Sequence, residues 1–206
     1  MPKSRNVKSQ KTYPIPVQDL QAVDQHERGR DFLSPAEVGR LLDAAKDGRY
    51  GERDYLLTLL LYRHGFRITE LCKLRLTDLN LDAARIWIPR SKGSLSTEQP
   101  LAGEELRAIR RYIRNRPAPL PWLFVSERLT QLTRHAAYYL IRQAGERAGF
   151  DFIVHPHMLR HSCGFFLSNK GYDSRLIQDY LGHRDPRHTA RYTRTAAARF
   201  EGLWER

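Results

Sequence analysis

The residues best suited to chemistry lie between His155 and Thr193. This stretch reads H-P-H-M-L-R-H-S-C-G-F-F, then L-I-Q-D-Y-L-G-H, then H-T-A-R-Y-T. Within it His157, Arg160, His183 and Tyr192 are four side chains suited to one phosphate. A second arginine, Arg67, sits upstream in G-F-R-I-T-E-L. A phosphodiester is anionic, and the transition state of its cleavage spreads more charge over the non-bridging oxygens. Two guanidinium groups can neutralise that charge, because the planar fork matches phosphate oxygens and stays protonated. Cleavage also needs a nucleophile, a base to help it and an acid for the departing 5′ oxygen. A tyrosine nucleophile would leave a covalent phosphotyrosine, which keeps the bond energy and lets the strand be rejoined without ATP. No carboxylate cluster, C-x-x-C or H-E-x-x-H motif offers metal ligands, so the chemistry calls for no metal or other cofactor.

Taken singly, each residue has a plainer reading. Arg67 fits an ordinary surface ion pair, His157 the cap of its own helix, and His183 the C-cap of another. Tyr192 has Tyr62, Tyr172 and Tyr180 as rivals.

The elements that must position them are mostly helical. Ser34-Pro35-Ala36-Glu37 is a capping box with proline at the first helical position. The helix it opens carries Val38, Leu41, Leu42 and Ala45 on one side and stops near Gly48. Asp54 to His64 is apolar almost all round, as expected of a central core helix, and Gly65 ends it. Arg67 opens a short helix facing inward with Ile68, Leu71, Cys72 and Leu74. T-D-L-N-L-D reads as a turn-rich link. Arg85 to Pro89 and Thr97 to Leu101 read as two strands joined by a turn at 91–94. A helix over about 103–114 follows, and Leu123-Phe124-Val125 suggests a third short strand. Thr133 to Ala148 is a helix whose Arg134, His135, Arg142 and Arg147 fall mostly off the apolar side. That basic face is either merely solvated or turned toward DNA.

In the helix from Pro156, positions 157, 160, 161 and 164 share one face, while Met158, Leu159, Cys163, Phe165 and Phe166 pack elsewhere. Ser174 caps a short helix that ends at Gly182, and Asp185-Pro186 opens the segment carrying Tyr192. The fold class is therefore mainly α with a small antiparallel β-sheet.

Size and charge agree with a nucleic-acid partner. The 206 residues suffice for one ordinary domain, and 35 Lys+Arg against 23 Asp+Glu give a net charge of +12. Residues 1–31 lack hydrophobic periodicity. With Lys3, Arg5, Lys8 and Lys11 ahead of two prolines they read as a flexible basic arm, either tracking DNA phosphates or serving no role. Residues 32–206 form the folded unit. Two lone cysteines, Cys72 and Cys163, fit buried thiols in a reducing cytoplasm. No apolar run approaches the about 18 residues of a membrane span, and the N-terminus lacks the apolar core of a secretory signal.

On these motifs the chain resembles the tyrosine recombinases, the phage integrase family. G-F-R-I-T-E-L resembles the family's first arginine box, H-M-L-R-H its H-x-x-R box, and L-G-H the next one. Tyr192 follows His183 by nine residues, the spacing the family uses for its nucleophile. The family's β-hairpin lysine falls on Lys92, whose plainer reading is a common turn lysine. H-P-H-M-L-R-H-S-C-G-F, L-I-Q-D-Y-L-G-H-R and G-L-W-E-R are similar to the small bacterial recombinases that invert the promoter element of type 1 fimbriae.

The resemblance implies a site-specific DNA recombinase acting through a 3′-phosphotyrosine. In it Arg67 and Arg160 hold the scissile phosphate, and His157 assists proton transfer from Tyr192. Lys92 protonates the 5′ leaving oxygen, and His183 donates a further hydrogen bond. Glu70, one turn from Arg67, would orient that arginine. The implied partner is double-stranded DNA with inverted-repeat sites, bound as a tetramer and helped by DNA-bending host proteins. The C-terminal Phe200, Leu203 and Trp204 either fold onto their own core or dock on a neighbouring protomer. Full-length relatives carry a separate core-binding domain, in whose place this chain has its short arm. Fewer phosphate contacts would mean weak intrinsic DNA affinity and a smaller salt slope. Two alternatives remain: the integrase or excisionase of a mobile element, and a DNA-binding transcriptional regulator that does not cut.

Overall fold

The computed structural model describes residues 31–90, 94–116 and 119–194. Ser34 opens helix α1 (Pro35–Lys46) as read from sequence: its Oγ accepts from Glu37 N at 3.4 Å, and Glu37 Oε2 accepts from Ser34 N at 2.9 Å. Helix α2 (Gly51–His64) starts one turn earlier than its apolar run. Its interior leucines 56, 57, 59, 60 and 61 are all at most 1% exposed, which makes it the central helix. Gly65 caps it in the left-handed region at φ 55°. A Cβ there would lie 2.3 Å from Leu181 Cδ2, so both the turn and the packing demand glycine. The chain then enters the short helix α3 (Ile68–Lys73), with Arg67 as its N-cap.

A 3₁₀ turn (Leu76–Asp78) leads into a three-stranded antiparallel sheet of β1 (Leu79–Asn80), β2 (Arg85–Ile88) and β3 (Thr97–Pro100). Leu79 pairs with Ile86, and Ile86 with Gln99. Here the structure corrects the expected strands. The stretch taken as a link supplies β1, because Asn80 Oδ1 accepts from Ala83 N at 3.0 Å and closes a tight turn through left-handed Ala84. Residues 123–125 do not join the sheet. They are buried, but Leu123 N donates to Leu74 O at 2.8 Å and Leu132 N to Phe124 O at 3.2 Å. Their backbone is thus shared between two loops and forms no ladder.

Helix α4 (Gly103–Asn115) follows the sheet, and α5 (Arg134–Arg147) is capped by Thr133, whose Oγ1 accepts from Ala136 N at 3.1 Å. Helix α6 (Pro156–Asn169) carries the H-x-x-R box. Helix α7 (Ser174–Leu181) is capped by Asp173 and not by Ser174: one carboxylate oxygen accepts from both Arg175 N and Leu176 N. Helix α8 (Arg187–Arg194) bears Tyr192.

The main apolar core joins α1 to α6 and the sheet. A smaller one comprises Cys163, Phe165, Ile177, Leu181 and Tyr192 where α6, α7 and α8 meet. Phe166, expected in the core, is 36% exposed. No helix among the described residues is long and apolar enough to cross a membrane.

Candidate active site

One cleft of about 230 Å³ is lined by Arg67, His157, Arg160, His161, His183, His188, Arg191 and Tyr192. Five of the sequence-derived candidates therefore converge. Lys92 lies outside the described residues, as do Lys3, Arg5, Lys8, Lys11 and the C-terminal Phe200, Leu203 and Trp204. Arg134, His135 and Arg142 are exposed on α5, away from the cleft lining, and Arg142 Nε pairs with Glu146 at 2.9 Å.

The two cleft arginines are held differently, Arg160 by the turn at Gly65 and Arg67 by Glu70. Arg160, 2% exposed, donates from Nη1 to Gly65 O and from Nη2 to Leu181 O at 2.8 Å. Arg67 donates from Nη1 to Glu70 Oε1 at 2.8 Å and to Ser94 Oγ at 3.1 Å. Glu70 is the orienting carboxylate expected from sequence, but it serves two arginines. Its Oε2 accepts from Arg90 Nη1 at 2.9 Å. Arg90, at the end of the β2 segment, also donates to Gly65 O, His64 O and Tyr180 O. A buried arginine with so many carbonyl acceptors ties the base of the β2–β3 hairpin to both cleft arginines. No motif or spacing marked it.

Tyr192 is 1% exposed. Its ring lies edge-on to Phe165 with centroids 5.2 Å apart and stacks toward His183 at 6.2 Å. Its carbonyl accepts from Ser168 Oγ at 3.0 Å, anchoring α8 to α6. Its hydroxyl lies 2.9 Å from His161 Nδ1. His183 Nδ1 meets Thr189 Oγ1 at 2.9 Å, which fixes the ring against α8. His157 is exposed along the cleft and sits edge-on to His161, with centroids 4.4 Å apart. His161 is a residue that sequence reasoning placed on this face without giving it a task. The signal was its position one turn beyond His157.

Burial dominates the protonation states. It pushes His183 down to about 3, helped by Arg160 and Arg67, so the ring is neutral at pH 7. Burial also lowers His157, with Arg160 and His155 adding to the effect. It brings Arg160 down to about 10, aided by Arg90 and Arg67, which leaves the guanidinium charged. Tyr192 is raised to about 12 by burial against the opposing pull of Arg160 and Arg191. Arg160 thus stays charged, His183 neutral and the Tyr192 phenol protonated. Such a site is built to receive an anion and to attack it once the phenol loses its proton. Among the described residues, no group of three or more His, Cys, Asp or Glu could hold a metal ion.

The profile of the Phage integrase family matches residues 31–199. The chain is 46% identical over 181 residues to the type 1 fimbriae regulatory protein FimB of Escherichia coli K12, covering 86% of this chain and 90% of that protein. It is 48% identical over 185 residues to FimE of the same strain, covering 86% and 92%. The crystal structure of XerA recombinase superposes with a TM-score of 0.71 at 32% identity, covering 79% of this chain and 59% of that one.

Proposed function

The chain belongs to the phage integrase family, and we propose that it is a site-specific DNA recombinase that cuts and rejoins strands through a 3′-phosphotyrosine on Tyr192. The observation that carries this reading is the gathering of Arg67, Arg160, His183 and Tyr192 around one cleft. Arg67 and Arg160 bind the non-bridging oxygens of the scissile phosphate, and Glu70 and Gly65 O keep both guanidinium groups aimed. His183 Nε2 is free to carry a proton for the phosphate, because Nδ1 is the atom engaged with Thr189. Lys92, two positions after Arg90 in the sequence, supplies the proton to the 5′ oxygen. Neither metal nor ATP enters the reaction.

The substrate is double-stranded DNA carrying inverted repeats. The product is an inverted segment whose promoter switches a fimbrial or other surface-structure operon. The similarity to FimB and FimE over most of their length favours inversion above integration of a mobile element. Residues 32–206 act as the catalytic domain and 1–31 as a basic arm along the phosphates. Four protomers assemble on DNA, with DNA-bending host proteins bringing the two sites together in the cytoplasm. Arg134, His135 and Arg142 form part of the DNA-facing surface. Long-read sequencing of the locus in the encoding strain tests this. A nearby segment should occur in both orientations with the wild-type gene and in one with Tyr192→Phe. Excision or movement of an element in place of inversion would favour the integrase reading.

A further inference from the structure

His161 has no part in the roles assigned above, yet it touches the nucleophile. Its Nδ1 is 2.9 Å from the Tyr192 hydroxyl. On the other side of the ring Nε2 faces the Asp31 carboxylate at 3.8 Å, and Asp31 is itself paired with Arg191 of α8. The ring is 5% exposed. At that distance the carboxylate acts through its charge, which favours the tautomer with the proton on Nε2. Nδ1 then presents its lone pair to the phenol. The Tyr192 hydroxyl therefore has a built acceptor in line before any substrate arrives. His157 lines the same cleft one turn away, and its contact is with the His161 ring.

We propose that His161 accepts the proton of Tyr192 as its oxygen attacks the scissile phosphate, with Asp31 as the positioning residue that holds the tautomer and faces the imidazolium. This rests on the recombinase reading above. In the step the Tyr192 oxygen bonds to phosphorus and the bond from phosphorus to the 5′ oxygen breaks. The phenol proton passes to His161 Nδ1, and the 5′ oxygen leaves with the proton of Lys92. Rejoining is the reverse: the 5′ hydroxyl attacks phosphorus, its proton returns to Lys92, and His161 gives its proton back to the tyrosine oxygen.

The groups facing the ring are His157 and Arg160 from α6, Arg191 and Tyr192 from α8, and Asp31, with His183 and His188 across the cleft. Burial, then His157, Arg191 and Arg160, hold the imidazole neutral with a pKa of about 3, while Asp31 pulls the other way. A neutral ring is the form that can take up a proton. A phosphate seated on the arginines offsets their charge, which raises the basicity of the ring when the phenol must be deprotonated.

The test uses the full chain and a duplex carrying the inverted repeat found at its own locus, made with either the natural 5′ oxygen or a bridging 5′ sulfur at the scissile phosphate. A thiolate leaves without a proton, so sulfur cures loss of the acid but not loss of the base. His161→Ala should form the covalent complex about 10²-fold or more slowly on both substrates, at unchanged DNA binding. Added imidazole should restore the rate in proportion to its free-base fraction. His161→Asn, which keeps a polar group near the phenol but cannot take its proton, should stay slow, and it carries the test if the alanine variant does not fold. Wild-type rates in either variant, or an alanine defect cured by sulfur, would overturn the proposal. No adduct from the wild-type protein would overturn the recombinase reading itself, a result visible before any variant is compared.

Discussion

Gly164 and Tyr192 are in such close contact that a Cβ on Gly164 would lie 2.6 Å from both Cε2 and Cζ of the tyrosine ring. One turn of α6 has thus given up its side chain so that the ring can lie against the helix backbone, with its hydroxyl at His161. Gly164→Ala should push the ring outward and cost about 1–3 kcal/mol of stability by overpacking. Strand cleavage should fall much further than DNA binding. Urea unfolding alongside a cleavage time course checks both effects, and an unchanged cleavage rate would mean the ring does not react from this seat.

Arg160→Lys keeps the charge but removes the fork. Gly65 O and Leu181 O lose the buried donors that Arg160 provides, although Arg90 still reaches Gly65 O. The expected losses are about 1–3 kcal/mol of stability and about 10²–10³-fold in cleavage. Cleavage measured at saturating DNA separates the second loss from weaker binding.

Glu70→Gln removes the one carboxylate that bridges Arg67 and Arg90, in a side chain 1% exposed. Breaking such a buried pair from one side should cost about 3–5 kcal/mol. Arg67→Lys should cost far less, because its side chain is 32% exposed. Comparing the two denaturation midpoints tests whether Glu70 serves mainly the buried Arg90.

His183 and His161 are both held neutral, at about 3, while an unfolded histidine titrates near 6.5. Between those values the unfolded chain binds more protons than the folded one. Stability therefore rises with pH across about 3 to 6.5 and is lost as pH falls through that window, each ring contributing a slope of up to about 1.4 kcal/mol per pH unit. Above pH 7 these rings add no slope. Urea melts from pH 7.5 to 4.5 should show the decline, and His183→Asn should flatten it.

Burial pushes both thiols, Cys72 and Cys163, up to about 12. The native protein should therefore be inert to a thiol reagent at pH 8, and both should react in denaturant. Rapid native labelling would show that the region of α6 bearing Cys163 opens.

Much of this architecture was legible because it is local. The capping box at Ser34 and the leucine-rich run of α2 state their structure within a few residues, and the face shared by His157, Arg160 and His161 follows from helical period alone. The failures are non-local. Nothing in L-T-D-L-N-L announces a strand until β2 is there to pair with it. Residues 123–125 have strand composition, but their backbone partners belong to two separate loops. Arg90 and Asp31 reach the site only because the fold brings them there, from 70 and 129 positions before Arg160. Ser174 lost the cap to its neighbour Asp173 because a carboxylate accepts two amides where a hydroxyl oxygen is a weaker acceptor.

The central claim is that the Tyr192 oxygen becomes bonded to a DNA phosphate. The most direct measurement incubates the purified protein with a nicked duplex of its own inverted repeat, digests the trapped complex and locates the nucleotide-bearing peptide by mass spectrometry. The account predicts a phosphodiester adduct on Tyr192, formed with EDTA present and absent from Tyr192→Phe. An adduct on another residue, or covalent complex persisting in Tyr192→Phe, would contradict it.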